Sequence, residues 1–296
     1  MPEFVLAVAA LPTGAHARAA LTAWEGADGR RAVATLGPAG RELLATLHAA
    51  IEANQAVPSA QLRTTVRAAR LLEGVRGPAA RDACQEVLEA LAQAGVRPLI
   101  VGGCALAERL YGGWAERHCG RLELIVSDDE VERAARALGT QALHGRFEAV
   151  HPSGFPVDVR TRLFPSMHRN PRPGDIRDHR IDGRVAGVPV VVLDDPAALL
   201  HSCAGAGLGP DRDLWWVVDG GLLVLRRPDL DWERFLAIAD RSGVALAALP
   251  RLRRLAEDAA VPIPVDVLAT LKRAARSGAI RRLLAPRRRL RSLMRR

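Results

Sequence analysis

The segment from Pro98 to Glu130 constrains the fold of this chain more than any other stretch of its 296 residues. It begins with an apolar run, Pro98–Val101, that stops at the glycine pair Gly102-Gly103. An alanine- and leucine-rich stretch follows, and Arg121–Val126 then alternates apolar with charged residues, as a half-buried strand does. This order predicts a strand, a tight glycine turn, a helix, and a second strand with polar side chains on one face.

Polar residues alternate with apolar ones along the second predicted strand and along a later one. Arg121 and Glu123 alternate along the second predicted strand, and Asp158 occupies a later strand pattern. Because residues i and i+2 of a strand point to the same side, Arg121 and Glu123 would face the same space. Gly102 and Gly103 lack side chains, so their backbone N–H groups would be open to an anionic ligand.

Six short segments of the chain occur in an order shared with a known family. They are Val101–Gly112, Gly120–Val126, Val157–Arg160, Asp195–Gly205, Leu214–Asp219 and Leu230–Trp232. Together they resemble the bacterial family of uncharacterised nucleotidyltransferases related to DNA polymerase beta. Its members typically contain L-K-G-x-A-L-A-x-x-x-Y-G, G-D-I-D-L-L-V, V-D-L-H, D-x-L-L-H-L-C-x-H, L-x-W-L-V-D and L-D-W. The resemblance spans about residues 35–265.

The resemblance implies an α/β (α+β) fold with a nucleotidyltransferase-type mixed sheet. Four regions are expected: a mainly helical segment over residues 1–95, the nucleotidyltransferase-like core over 96–194, a helical bundle over 195–265 and a basic tail over 266–296. Residues 1–36 are interpreted as strands or as loosely packed chain. Strands are expected at Pro98–Val101, Arg121–Val126, Phe147–His151, Pro156–Leu163 and Val185–Leu193. Residues 164–182 are expected to form an exposed loop.

Helical patterns flank the predicted sheet on both sides. Before it, Ser59 is expected to cap a helix with Leu71 and Leu72 on its apolar face. Ala79–Ala94 is expected to form a separate helix that ends at Gly95. Four helices are expected after the sheet, at Pro196–Cys203, Asp213–Leu225, Trp232–Ser242 and Val244–Glu257.

The family resemblance also implies a metal-dependent reaction. Nucleotidyl transfer uses two divalent cations that bridge the triphosphate and the attacking oxygen. Magnesium prefers hard oxygen ligands, so the family carries Asp-x-Asp or Asp-x-Glu on one strand and a third carboxylate on a neighbour. By resemblance, Glu123 and Asp158 are the magnesium ligands and catalytic residues, and a nucleoside triphosphate (NTP) lies against Gly102 and Gly103. Arg121 occupies the position of the first carboxylate.

An arginine at the position of the first carboxylate is compatible with two functions. A guanidinium has a fixed positive charge and cannot ligate a cation, but it could pair with phosphate or with Glu123 and Asp158. Gly102 and Arg160 also replace a lysine and a histidine of the family pattern. In the first hypothesis the chain is a divergent enzyme that transfers a nucleotidyl group from NTP to a hydroxyl or phosphate acceptor through Arg121, Glu123 and Asp158. In the second it is an inactive member of the family that binds nucleotide or peptide and serves a partner.

Further partners follow from the resemblance and from the charge distribution. Relatives are often encoded near genes for peptide natural products or polysaccharides, which implies a small-molecule, sugar or peptide acceptor. The net charge is +9, and Lys272–Arg296 contains eleven basic residues and no acidic one. This tail predicts an anionic partner, either nucleic acid or an acidic or membrane surface. A solvated tail without a partner is the alternative.

The sequence lacks the signals of disulfide-rich, secreted and membrane-spanning proteins. The four cysteines are not at metal-ligand spacing, so neither a disulfide framework nor a zinc site is expected. This cysteine usage predicts a cytoplasmic location. Met1–Leu11 lacks the basic start of a signal peptide. No run of about 20 apolar residues is present, so no membrane span is expected. His118 and Cys119 lie near the motif without other ligands at suitable spacing.

Overall fold

The computed structural model of the protein describes residues 2–26, 33–164, 179–205 and 214–276. The expected mixed α/β architecture is confirmed, with one six-stranded sheet between two groups of helices in the chain. The first group is α1 (Pro2–Ala9), α2 (Ala15–Gly26), α3 (Pro38–Glu42), α4 (Leu44–Ala53) and α5 (Ala60–Gln93). The sheet region is β1 (Leu99–Val101), α6 (Gly103–Leu110), β2 (Leu122–Ile125), α7 (Val131–Ala137), β3 (Arg146–Val150), β4 (Pro156–Arg160), β5 (Arg180–Val185) and β6 (Val188–Leu193). The second group is α8 (Asp195–Gly205), α9 (Trp215–Leu225), α10 (Trp232–Ser242), α11 (Ala245–Glu257) and α12 (residues 265–276).

The strands lie in the order β3-β4-β2-β1-β6-β5. β1 is antiparallel to β2 and parallel to β6, and β2 is parallel to β4. The three strands expected to lie together, now β1, β2 and β4, are therefore neighbours in one mixed sheet. β5 begins at Arg180, inside the segment predicted as an exposed loop, because its polar residues lie on an edge strand whose first half is exposed. The rest of that predicted loop, residues 165–178, is outside the described residues.

The first described residues correct a prediction. α1 and α2 are helices, not strands or loosely packed chain. α1 contacts α2, α4 and α9, and Leu6, Ala7 and Val8 are buried. A helix that is covered on several sides has no polar face, so its sequence lacks the amphipathic period that identifies surface helices.

α5 is one helix of 34 residues, where two helices were predicted. The expected cap is present, since Ser59 Oγ accepts the N–H of Leu62 at 3.3 Å. Pro78 lies inside the helix without ending it. Leu71 and Leu72 are 67% and 58% exposed, contrary to the prediction, because they are out of phase with the buried stripe. That stripe runs along Leu62, Val66, Glu73, Gly77, Ala80 and Cys84.

The helices after the sheet match the four predicted ones to within two residues at each described end. The predicted start at Asp213 lies outside the described residues. α9 is the central helix, with ten of its residues buried. α12 also joins the core, because Val267, Leu271 and Ala275 are buried. The segment predicted as a basic tail therefore begins as a packed helix, and residues 277–296 are outside the described part.

Buried apolar residues form two clusters on opposite sides of the sheet. Leu99 and Val101 belong to the larger one, with the N-terminal and C-terminal helices, whereas Ile100 belongs to the other, with α5 and α7. This division follows the alternation of side chains along a strand. Across the described ranges, no helix combines the length and apolar character needed to cross a membrane.

Candidate functional site

A cleft of about 640 Å³ lies between the sheet and the helices around it. The five site residues predicted from the sequence all line it: Gly102, Gly103, Arg121, Glu123 and Asp158. Its other walls come from α3, α5, the loop after α6, α8 and α9. They include Glu42, Arg76, Arg117, His118, Trp215 and Asp219.

Glu123 and Asp158 lie side by side at the sheet end of the cleft. They are paired residues of the parallel strands β2 and β4. Their strand neighbours, Leu122, Leu124, Val157 and Val159, are fully or almost fully buried on the opposite face. Burial of those four side chains fixes the strand faces, so both carboxylates must leave the sheet on the cleft side.

Arg160 joins the two carboxylates. Its Nη2 lies 2.9 Å from Glu123 Oε2 and its Nη1 lies 3.0 Å from Asp158 Oδ2. Arg160 is two residues beyond Asp158 in β4 and therefore on the same face, from which its long side chain reaches both acids. One guanidinium thus provides a charge-assisted hydrogen bond to each carboxylate.

Of the two kinds of partner considered for Arg121, phosphate or carboxylate, the carboxylates of Glu123 and Asp158 pair with Arg160 instead. Within the described residues Arg121 forms no ion pair with Glu123 or Asp158, and it is exposed. Arg121 precedes the first residue of β2, whereas Arg160 is within β4, where the strand holds it beside both acids. Arg121 therefore keeps its positive charge available to a ligand in the cleft.

The glycine turn is filled by neighbouring side chains. Gly102 has a φ of +70°, and a Cβ there would lie 2.7 Å from Oε1 of Glu123. At Gly103 a Cβ would lie 2.9 Å from the guanidinium carbon of Arg117. A lysine at position 102, as in the family pattern, would require Glu123 to move and a strained backbone.

A second arginine–carboxylate pair forms another wall. Arg117 Nη2 lies 2.9 Å from Asp219 Oδ2, and Arg117 Nε donates to Oδ1 at 3.2 Å. The guanidinium lies 3.4 Å from the ring centroid of Trp215, a cation–π contact. Burial would lower the pKa of Arg117, but Asp219 and Tyr111 outweigh it, so the pKa is raised. Tyr111 donates its hydroxyl to Asp219, which completes a buried unit that holds the wall in place.

His118 lies between two carboxylates that the sequence did not associate with it. Its Nδ1 lies 2.9 Å from Glu73 Oε1, and its Nε2 lies 3.9 Å from Glu42 Oε1. Glu73 also pairs with Arg76 at 3.3 Å. The sequence contained one signal of this cluster: Glu73 is an acid in phase with the buried apolar residues of an arginine-rich helix.

His201 is a neutral group beside Arg160. Burial and the nearby charge of Arg160 lower the pKa of His201 to about 3. Its Nε2 is enclosed and has no hydrogen-bond partner among the described residues. His201 therefore adds no positive charge to the cleft at neutral pH.

The sequence was also compared with models of known protein families. A family model described as "Uncharacterised nucleotidyltransferase" matches residues 39–285. The chain belongs to this nucleotidyltransferase family. The match supports a general nucleotidyltransferase function and a nucleotide as the class of substrate. Comparisons with curated proteins and with solved structures returned no match.

The divalent cations that nucleotidyltransferases use do not fit the donors of this cleft. Glu123 and Asp158 are both bound to Arg160, and Arg121 occupies the position of the remaining carboxylate. Among the described residues, no three His, Cys, Asp or Glu side chains are grouped to hold a metal. Because two-cation centres need several carboxylate oxygens free for ligation, the site differs from the family pattern in its charge as well as its sequence.

Proposed function

We propose that this nucleotidyltransferase-family protein binds an NTP in the cleft and that guanidinium groups replace the pair of metal ions. The observation that carries the proposal is Arg160, placed between Glu123 and Asp158 where the family pattern needs free metal ligands. Arg121 lines the same cleft without an ion pair to either acid. Arginine suits phosphate recognition because its planar fork offers parallel N–H donors.

The reaction proposed for the bound nucleotide is transfer to a hydroxyl- or phosphate-bearing small molecule, sugar or peptide. An acceptor oxygen bonds to the α-phosphorus, the bond from that phosphorus to the β-phosphate oxygen breaks, and pyrophosphate leaves. Positive groups already fixed near the leaving phosphates stabilise the charge that develops there. Arg121 and Arg160 are the groups placed to do so.

The binding step is tested by calorimetry with ATP, GTP, CTP and UTP, in EDTA and in magnesium. At least one NTP is expected to bind in EDTA, with less than a tenfold gain from magnesium. Arg121→Ala should weaken that binding by about 10- to 150-fold, since one charge-assisted hydrogen bond contributes about 1.5–3 kcal/mol. Arg133→Ala, an exposed arginine on α7 outside the cleft, is the matched control. Binding that occurs only with magnesium would contradict the proposal.

Binding without transfer is the second candidate function. It is favoured by the contacts of Glu123, which pairs with Arg160 and also fills the space beside Gly102. Release of pyrophosphate from a bound NTP, measured with a panel of hydroxyl and phosphate acceptors, distinguishes the two. Release above the buffer rate supports transfer, and binding without release supports a nucleotide-dependent role toward a partner.

A further inference from the structure

The same cleft is also lined by residues to which the proposed function assigns no phosphate contact: Glu42, Arg76, His118 and Trp215. Glu42 lies on α3, Arg76 on α5, His118 in the loop after α6, and Trp215 on α9. An acceptor must lie next to the α-phosphate, and these residues line the cleft proposed for the triphosphate.

The hydrogen bond to Glu73 orients the ring of His118. Both side chains are more than nine-tenths buried, and the Nδ1 to Oε1 distance is 2.9 Å. A carboxylate only accepts hydrogen bonds, so the neutral imidazole carries its proton on Nδ1 and leaves a lone pair on Nε2. Glu73 is itself held by Arg76. A buried acid that orients a histidine is the arrangement by which enzymes prepare a general base.

Nε2 of His118 and Oε1 of Glu42 are two hydrogen-bond acceptors placed 3.9 Å apart. Nε2 has no hydrogen bond within the described residues, and Glu42 keeps its position because its Oε2 accepts the indole N–H of Trp215 at 3.1 Å. A separation of 3.9 Å is too long for a direct hydrogen bond but lets one small ligand bond to both atoms. Two hydroxyls on adjacent carbons present two donors to such a pair.

We propose that Glu42 and His118 form an acceptor subsite for a vicinal diol, such as a sugar or another polyol, and that His118 is the general base. This inference rests on the proposed transfer function. One hydroxyl gives its proton to Nε2 of His118 as its oxygen bonds to the α-phosphorus, and pyrophosphate leaves with the electrons of the broken bond. The second hydroxyl donates to Glu42. Glu73 is a positioning residue, because it acts through the imidazole.

Charged side chains surround the ring of His118. Glu42 on α3 and Glu73 on α5 face the ring, and the nearby cations are Arg76 and Arg117, which donates to the backbone carbonyl of His118. A purely structural role, in which His118 only links α3 to α5, would use the same contacts but would not alter a reaction rate.

The test uses the full chain, an NTP that binds it, and glycerol as the diol probe, with propane-1,3-diol as the probe without adjacent hydroxyls. Pyrophosphate release is expected to be at least tenfold faster with glycerol. His118→Asn keeps a donor for Glu73 but removes Nε2, so kcat should fall at least a hundredfold with NTP affinity within threefold. His48→Asn, on α4 outside the cleft, should leave kcat unchanged.

Each outcome separates the inference from the function on which it rests. If no NTP binds the native chain, the proposed function itself fails. If NTP binds but neither probe releases pyrophosphate, or if His118→Asn transfers at the native rate, the acceptor subsite is wrong while nucleotide binding stands. Glu42→Gln provides a second variant in case His118→Asn does not fold. It should raise the KM for glycerol about tenfold without changing the KM for NTP, and an unchanged KM for glycerol would overturn the subsite.

Discussion

Arg160 reaches two carboxylates because of where β4 places it. Asp158 and Arg160 share one face of that strand, and Glu123 is the residue paired with Asp158 on β2. The resulting contacts of 2.9 and 3.0 Å join one cation to two anions in a partly buried place. Removing one member of such a group leaves an uncompensated charge, which costs more than the contact itself contributes. The three residues should therefore be considered together.

A double substitution tests whether the original metal chemistry can be restored. Arg121→Asp with Arg160→His supplies the missing carboxylate and releases the other two, so magnesium should bind at least tenfold more tightly than to the native chain. Titration calorimetry with magnesium alone measures the change. Arg160→His alone should give a smaller gain, and Arg133→Asp adds an acid outside the cleft as the control. Unchanged affinity in the double variant would mean that the carboxylates no longer converge on one point.

At the scale of elements, α5 connects the parts of the molecule that form the cleft. It packs on α4 near its beginning and on α7 and β6 farther along. It meets the loop after α6 at Gly77, where a Cβ would lie 2.6 Å from the carbonyl oxygen of Trp114. The loop that carries His118 therefore packs against α5 at Gly77, a residue that has no side chain.

Two glycines of α5 should respond in opposite ways to the same substitution. Gly77→Ala should destabilise the protein by about 1–3 kcal/mol, because the added methyl group overlaps the Trp114 backbone. Gly74→Ala should stabilise it by about 0.5–1 kcal/mol, because no atom lies within 4 Å of the added group and alanine favours a helix. Urea denaturation of both variants measures the free energy of unfolding. A similar change in the free energy of unfolding of both variants would show that the loop does not restrict the size of the residue at position 77.

Elements with a local signal could be predicted from the sequence, and those defined by distant contacts could not. The Ser59 cap depends on residues close together in the chain, whereas the neighbouring strands of Glu123 and Asp158 were implied by the family resemblance. α1 was missed because a helix covered on several sides has no amphipathic period. The hydrogen bond between Glu73 and His118 joins residues 45 positions apart, so nothing in the local sequence of either residue predicted it.

For the whole molecule, the last described helix adds residues 265–276 to the packed core. Leu271 is fully buried in α12, and Val267 and Ala275 are almost so, within the larger apolar cluster. The region boundary proposed at residue 266 falls inside this helix. Cutting the chain after Thr270 would remove Leu271, whose burial contributes about 1.5–3 kcal/mol, so we expect that cut to destabilise the protein. Residues 277–296 carry most of the basic tail.

Two truncations should separate folding from binding to anions. A chain that ends at Arg276 should keep the thermal midpoint of the full chain but lose most of its retention on heparin, because eight arginines are removed. A chain that ends at Pro264 lacks α12 and should unfold several degrees lower. Thermal denaturation and heparin elution in a salt gradient measure both effects. Equal elution of the full chain and the Arg276 truncation would exclude the tail as the anion-binding segment.

The position of Arg160 has a consequence for how the cleft depends on its surroundings. A bound metal ion is lost when free metal is diluted or removed by a chelator. A tethered side chain instead has an effective concentration set by the fold. The cation at the sheet end of this cleft is therefore present as long as the protein is folded. On the proposed function, occupancy of the site by nucleotide follows the supply of nucleotide, and changes in free magnesium alter the affinity by less than tenfold.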